Sequence, residues 1–421
     1  MEKILRYTES SIWDFPKIIL QDDSIIKRDN IKIYEDSHGA GSLKDAEQFS
    51  YTTNNEDVWL LPSQSYLLLK FYVKTAADGN YRWVAAGDNA AQVVNLADNG
   101  FNLFKEARYY IDDQEVERLD HVGISSLINT MIKNDAQALN SVRDSMMWFG
   151  KEEDDRKSFL INRSGRVNLL LPLEKIFPFF EQNQHVFRGV KHRITLTLNS
   201  ADSILKRTAG VAGKIYIDQM TWIIPQVEPS LGTMAKLENQ LAAGSKFHLN
   251  WDAISVYKHT INSNLTDQRI ALSSTIHKPK HVFVALQTAT RQTDQTQDSM
   301  IFDQLNLQKM SVQINEQNFP DKPLEFNYNN YDVAEVHQRF LDMCKNHSGP
   351  NIEDFMTKWP IIHIDVSKHK PELYDSTSFP NIVINLNFSA APANPYNVWI
   401  IIYNEREATL NLEQKKMRVI R

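Results

Sequence analysis

The chain has a single cysteine, Cys344, in 421 residues. No intrachain disulfide can form, which fits a reducing compartment. Glycine is scarce, at 14 residues, about half the roughly 7% usage of an average protein. Few glycines leave few places where backbone could cradle a phosphate, and Asn, Asp, Gln and Ser supply the turns instead. No run of about 18 apolar residues occurs, so no membrane span is expected. Met1 to Arg6 does not open into a long apolar core, so no signal peptide is expected. The sequons at Asn162, Asn264, Asn346 and Asn387 are read as chance matches. Neither sign of charge dominates. A net charge of −6 and a pI near 6.1 exert no overall pull toward nucleic acid or an anionic membrane.

Catalytic signatures are missing as well. There is no Walker loop, Rossmann glycine fingerprint, H-E-x-x-H or G-x-S-x-G. His337, Cys344 and His347 lie close in sequence, but zinc wants three or four ligands and no second cluster supplies them. His337 and Cys344 are read as filling an apolar helix stripe. His363 and Asp365 stand two apart on a strand and would point the same way. With Ile362, Ile364 and Val366 as the inward set, this pair is expected on a solvated face. The acidic run Glu152-Glu153-Asp154-Asp155 lacks the spaced oxygens and turn glycine of a calcium loop. The basic spots, His277 to His281 and the tail Lys415 to Arg421, lack interleaved aromatics, and the tail is read as a polar terminus rather than a nucleic-acid site. No catalytic, cofactor-binding or metal-ligating residue is assigned. The chain is expected to be neither an enzyme nor a cofactor carrier.

What is present is a repeat. Glu106–Glu115 reads as a strand running into a polar turn, and Gln308–Gln317 has the same shape. Each is followed by an amphipathic helix, an apolar strand, an alternating strand and a last apolar strand. Ile111 pairs with Ile314, Leu127 with Val336, Leu170 with Ile362, Leu196 with Ile384, and Ile217 with Ile400. In Ile194–Leu198 and Ile382–Phe388 the alternation has a period of two, so one face of each strand is apolar. Helical spacing predicts Ile124–Ile132, Leu139–Phe149 and Val333–Cys344 as helices. Residues 1 to about 60 read as irregular, Lys151–Lys157 as a loop, and Lys214–Ile224 as a strand ended by Pro225 and Pro229. Many short strands with few helices argue for an all-β chain of two tandem eight-stranded jelly-roll β-sandwiches. The expected domains are 1–227, a connector with a short helix at 228–250, and 251–421.

Asn99-Gly100-Phe101-Asn102-Leu103-Phe104, running into Ala107-Arg108-Tyr109-Tyr110-Ile111 and then Val116-Glu117-Arg118-Leu119-Asp120-His121-Val122-Gly123, resembles the major capsid proteins of Polinton-like and adintovirus-like elements. So does Gly189-Val190-Lys191-His192 with its alternating strand and Met220-Thr221-Trp222-Ile223-Ile224-Pro225. Virophage and adenovirus-lineage capsid proteins share the architecture. The resemblance covers roughly residues 66–227, and the second half matches in its order of elements. It implies a double jelly roll whose homotrimers form pseudo-hexagonal capsomers of an icosahedral shell. The partners would be neighbouring capsomers and penton or minor capsid proteins, and the location would be the virion, assembled inside a host cell. Short loops would give a low-relief outer surface. Eight Trp, fifteen Tyr and twenty Phe are ample for lateral contacts. Two other classes stay open: a carbohydrate-binding or glycan-processing β-sandwich, and a domesticated capsid-like host protein.

Overall fold

The computed structural model describes residues 24–36, 48–54, 58–77, 80–83, 94–96, 99–133, 166–207, 213–242, 246–262, 265–272, 276–315, 317–367, 380–411 and 416–420. The helix expected at Leu139–Phe149, the loop with Glu152–Asp155, and Asn162 and Asn264 lie outside them.

The first half contains β1 (Ile25–Tyr34), β2 (Gln48–Thr52), β3 (Trp59–Leu60), β4 (Tyr66–Ala77), β5 (Asn80–Trp83), β6 (Val94–Leu96), β7 (Phe104–Ile111) and β8 (Gln114–Asp120). Helix α1 (Val122–Lys133), β9 (Arg166–Pro172), α2 (Pro178–Gln182), β10 (His192–Leu198), α3 (Ala201–Ile204), β11 (Leu205–Arg207) and β12 (Gly213–Pro229) follow. After α4 (Leu231–Ala242) come β13 (Lys246–Ile261), β14 (Asp267–Leu272), β15 (Pro279–Thr288), β16 (Leu307–Ile314) and β17 (Gln317–Glu325). The chain continues through α5 (Ala334–Met343), α6 (Ile352–Thr357), β18 (Ile362–Asp365), β19 (Ile382–Phe388), β20 (Tyr396–Asn411) and β21 (Lys416–Ile420).

Pairing shows the repeat strand by strand. One sheet of the first half runs β1-β12-β4-β9 and the other β2-β10-β7-β8. The second half runs β13-β20-β15-β18 and β14-β19-β16-β17. With the eight strands of each half lettered B to I in chain order, both halves give BIDG and CHEF, the order of a jelly roll. Each expected residue pair falls on corresponding strands or, for Leu127 and Val336, on the helices α1 and α5 between the fifth and sixth strands. The chain is thus two jelly rolls in tandem. Inward positions from both sheets join one buried cluster, with Trp222, Tyr109 and Phe71 in the first roll and Ile400, Tyr396 and Ile384 in the second.

Four readings need correction. Residues before 60 are not irregular: β1 and β2 are there, and β1 escaped notice because Ile25–Asn30 are exposed on both faces and show no alternation. Pro225 does not end β12. It sits where the strand changes neighbour on one edge, from β4 (last pair Ile223 with Tyr66) to β3 (first pair Gln226 with Leu60), so its missing N–H costs the ladder nothing there. The second unit starts with β13 at Lys246, not near Trp251. The tail is not a free terminus, because Lys416–Ile420 pair with Glu407–Asn411 of β20.

Candidate functional site

The candidate site is the seam between the rolls. Pro178 opens α2 with its φ preset for a helix, and α2 lays Phe179 edge-on against Trp251 of β13 at 5.0 Å. Gln182 Oε1 accepts from the Asp252 N–H at 3.0 Å, and Asn183 Nδ2 donates to the Asn250 carbonyl at 3.3 Å. Behind Phe179, the Tyr109 ring lies within 4.6–5.9 Å of Phe177, Phe179 and Phe180. Each such aromatic side chain buried contributes about 1.5–3 kcal/mol.

A second contact joins α1 to the I strand of the other roll. The His121 ring meets Trp399 edge-on at 4.8 Å, and the Tyr403 hydroxyl donates to Asn129 Oδ1 at 3.4 Å. This explains why α1 departs from the amphipathic pattern. Ser125, Ser126, Asn129 and Thr130 are buried along with Ile124, Leu127 and Ile128 because the helix is covered on all sides. In α5, only Val336 and Phe340 are buried.

A third contact is polar. Gln295 Oε1 accepts from the Gly213 N–H at 2.8 Å while Nε2 donates to the Gly213 carbonyl at 3.2 Å, so one side chain imitates a strand neighbour. Asn102 Nδ2 donates to the Ser203 carbonyl at 2.6 Å and to Ser299 Oγ at 3.1 Å, and Ser299 Oγ donates in turn to the Ser203 carbonyl. Satisfied buried networks of this kind specify one arrangement of the groups they join.

Glu117 lies beside this seam. A bulge at Val116, where Tyr109 faces Glu117 but Tyr110 faces Glu115, turns two consecutive residues inward. Glu117 Oε2 accepts the Phe179 N–H at 3.0 Å and so caps α2. Burial pushes its carboxyl up from 4.5 to about 7, against the pull of the Phe179 N–H, Arg406 and Lys133.

The residues weighed from sequence separate here. His337 Nε2 bonds to the Pro350 carbonyl at 2.9 Å and its ring leans on Phe355. Cys344 is buried with its thiol on the Phe340 carbonyl, and burial pushes it up to about 12. His347 turns to Asp342 at 3.7 Å. Among the described residues, no three His, Cys, Asp or Glu side chains converge as a metal requires. His363, expected in solvent, is buried: it stacks on Phe283 at 4.8 Å, and its Nδ1 donates to the Arg339 carbonyl of α5 at 3.0 Å. Its Nε2 must then accept from His281 Nδ1, 3.2 Å away. Burial, with His281 alongside, lowers His363 to about 4, so it stays neutral near pH 7. Asp365 remains at the rim, 3.8 Å from His281. In the basic spot, Lys280 pairs with Asp252 at 2.6 Å and Lys278 with Glu407 at 3.5 Å.

A cavity of about 580 Å³ opens along the seam, lined by Glu115, Arg118 and Asp120 from the first roll and Tyr257, Asn404 and Arg406 from the second. Both signs of charge meet in it, so it offers no field for an ion of one sign. Glu117 and the seam residues went unread in the sequence. Asn102, Tyr109, Glu117 and His121 stood in the quoted motif with no role assigned, and the aromatic run Phe177-Pro178-Phe179-Phe180 is the sequence signal that could have marked the place.

The comparisons agree with this geometry. Solved structures of the same fold include the Sputnik virophage by cryo-EM (TM-score 0.65, 8% identity, covering 100% of this chain and 93% of that one). The PBCV-1 virus capsid (0.59, 10%, 96% and 99%) and the mavirus major capsid protein (0.55, 9%, 100% and 96%) are also similar. No curated protein matches the sequence. The family model described as "Double jelly roll-like domain" matches residues 94–406, from β6 of the first roll through the seam into β20 of the second, and the chain belongs to that family.

Proposed function

We propose that this chain is a major capsid protein, a non-enzymatic building block whose homotrimers form pseudo-hexagonal capsomers of an icosahedral shell. The observation that carries the reading is the doubled BIDG–CHEF order joined by a buried seam. Two similar rolls held rigidly side by side supply one third of a six-roll ring. The structures it resembles include viral capsid proteins. The residues gathered at the seam hold sheets together and cap a helix, which is structural work. In this reading the first domain is 1–227 and the second runs from β13, whose start at Lys246 precedes the expected 251, to 421, with the connector helix between them, and the capsomer meets neighbouring capsomers and penton or minor capsid proteins in a virion assembled in a host cell.

Light scattering on the purified chain, followed by negative-stain microscopy, tests this. The expected result is a particle of three chains with three-fold views. A monomer that persists at high concentration would overturn the proposal.

A further inference from the structure

One pair of histidines makes none of the seam contacts. β15 and β18 pair so that His281 faces Asp365 and Phe283 faces His363. Antiparallel partners share a face, and so do residues two apart on a strand, so all four side chains stand on the outer face of this sheet. α5 covers that face at the His363 end, where the Phe340 ring meets Phe283 edge-on at 6.3 Å. His363 is 5% exposed. His281 and Asp365 lie toward the rim, with side chains 23% and 42% exposed.

The His363 ring is fixed from two sides. It stacks on Phe283 at 4.8 Å, and its Nδ1 donates to the Arg339 carbonyl at 3.0 Å. That bond keeps the proton on Nδ1 and leaves a lone pair on Nε2, which lies 3.2 Å from His281 Nδ1. An imidazole whose other nitrogen donates to a backbone carbonyl is how proteins orient a histidine for a metal ion. The spacing of the two nitrogens fits as well. Ligand nitrogens at about 2.0–2.1 Å from one ion stand roughly 2.8–3.0 Å apart at a right angle and roughly 3.3–3.4 Å apart at the tetrahedral angle. The 3.2 Å between His363 Nε2 and His281 Nδ1 lies between these values.

We propose that His281 Nδ1 and His363 Nε2 form a two-imidazole site for a divalent transition-metal ion, with water completing its shell. Imidazole and water suit ions such as Zn²⁺, Ni²⁺ and Cu²⁺ and disfavour Ca²⁺ and Mg²⁺, which take oxygen ligands. Asp365 Oδ1 is 3.8 Å from the same His281 Nδ1, and it already accepts from the Ser367 N–H at 2.8 Å and the Ser367 hydroxyl at 2.6 Å. It acts through its charge, which favours a cation at the mouth of the site, rather than as a third ligand. When the ion enters, the proton on His281 Nδ1 moves through water to Nε2 of the same ring, so both imidazoles stay neutral and no net proton is released. The ion staples β18, the four-residue edge strand of its sheet, to β15 and, through the Arg339 carbonyl, to α5. The site does not depend on assembly and holds whether or not the chain forms capsomers.

Calorimetric titration of metal-free, full-length protein with Zn²⁺ tests it, with Ca²⁺ as the comparison ion and His347→Gln, at an exposed histidine on neither strand, as control. Wild type and control are expected to bind one Zn²⁺ more tightly than any other and to melt at a higher temperature with it. Ca²⁺ is expected to do neither. His281→Gln and His363→Gln are each expected to weaken that site at least as much as loss of an outer-shell partner does, about 10–100-fold. Should His363→Gln not fold, His281→Gln decides, because its ring lies at the rim. Wild type that binds Zn²⁺ no more tightly than His281→Gln, or gains no more thermal stability from it, would show that the two nitrogens only share a proton and would overturn the site. Ca²⁺ binding as tight as Zn²⁺ binding would overturn it too.

Discussion

Glu117 is a carboxyl group enclosed among rings, holding the first turn of α2 by one backbone N–H. Its raised value means that the folded chain binds a proton more readily than the unfolded chain does. Its contribution is therefore full below pH 4.5 and is lost as pH rises through about 7. Between pH 5 and 8 this site alone is expected to cost about 2–3 kcal/mol. Glu117→Gln keeps an acceptor for Phe179 and removes the titration. Urea melts across that range are expected to show a flatter pH dependence for the variant, and equal slopes would refute the assignment. Gly123 is a second residue the fold constrains. A Cβ there would stand 2.8 Å from the Asn102 Cα and 2.4 Å from its Oδ1, so any side chain would displace the asparagine that reaches Ser299 across the seam.

At the scale of elements, β21 gives the clearest expectation. It occupies the same flank of β20 that β3 occupies on β12, beyond the end of the D strand. Removing residues 412–421 is expected to speed hydrogen exchange at the amides of Glu407–Asn411 that point to β21. Tyr396–Tyr403, held by β13 and β15, should stay protected. Uniform protection in the truncated chain would show that the pairing contributes nothing. Elements were legible where one face is wet and the other dry, as in β10 and β19, because period two survives there. They were hidden where that contrast fails. β1 is exposed on both faces, and His363 sits on an outward face that α5 covers from a distant part of the chain. The inward turn of Glu117 follows from a bulge, which no alternation records.

For the whole molecule, the seam decides whether the halves are separable. A fragment of residues 246–421 would bare Trp399, Ile401 and Tyr403 together with the Trp251 edge. Expressed alone, it is expected to aggregate or to bind a hydrophobic dye strongly, and the full chain is expected to do neither. A soluble, compact fragment with native circular dichroism would show that the rolls are independent beads rather than one body.

The doubled strand order has one more implication, and it concerns inheritance. A ring of six single-roll subunits would stamp every substitution into all six positions at once. With both rolls encoded in tandem, a substitution in the proposed trimer would enter only three, on alternating corners. In such a ring one half could drift toward a new neighbour while the other preserved the old fit.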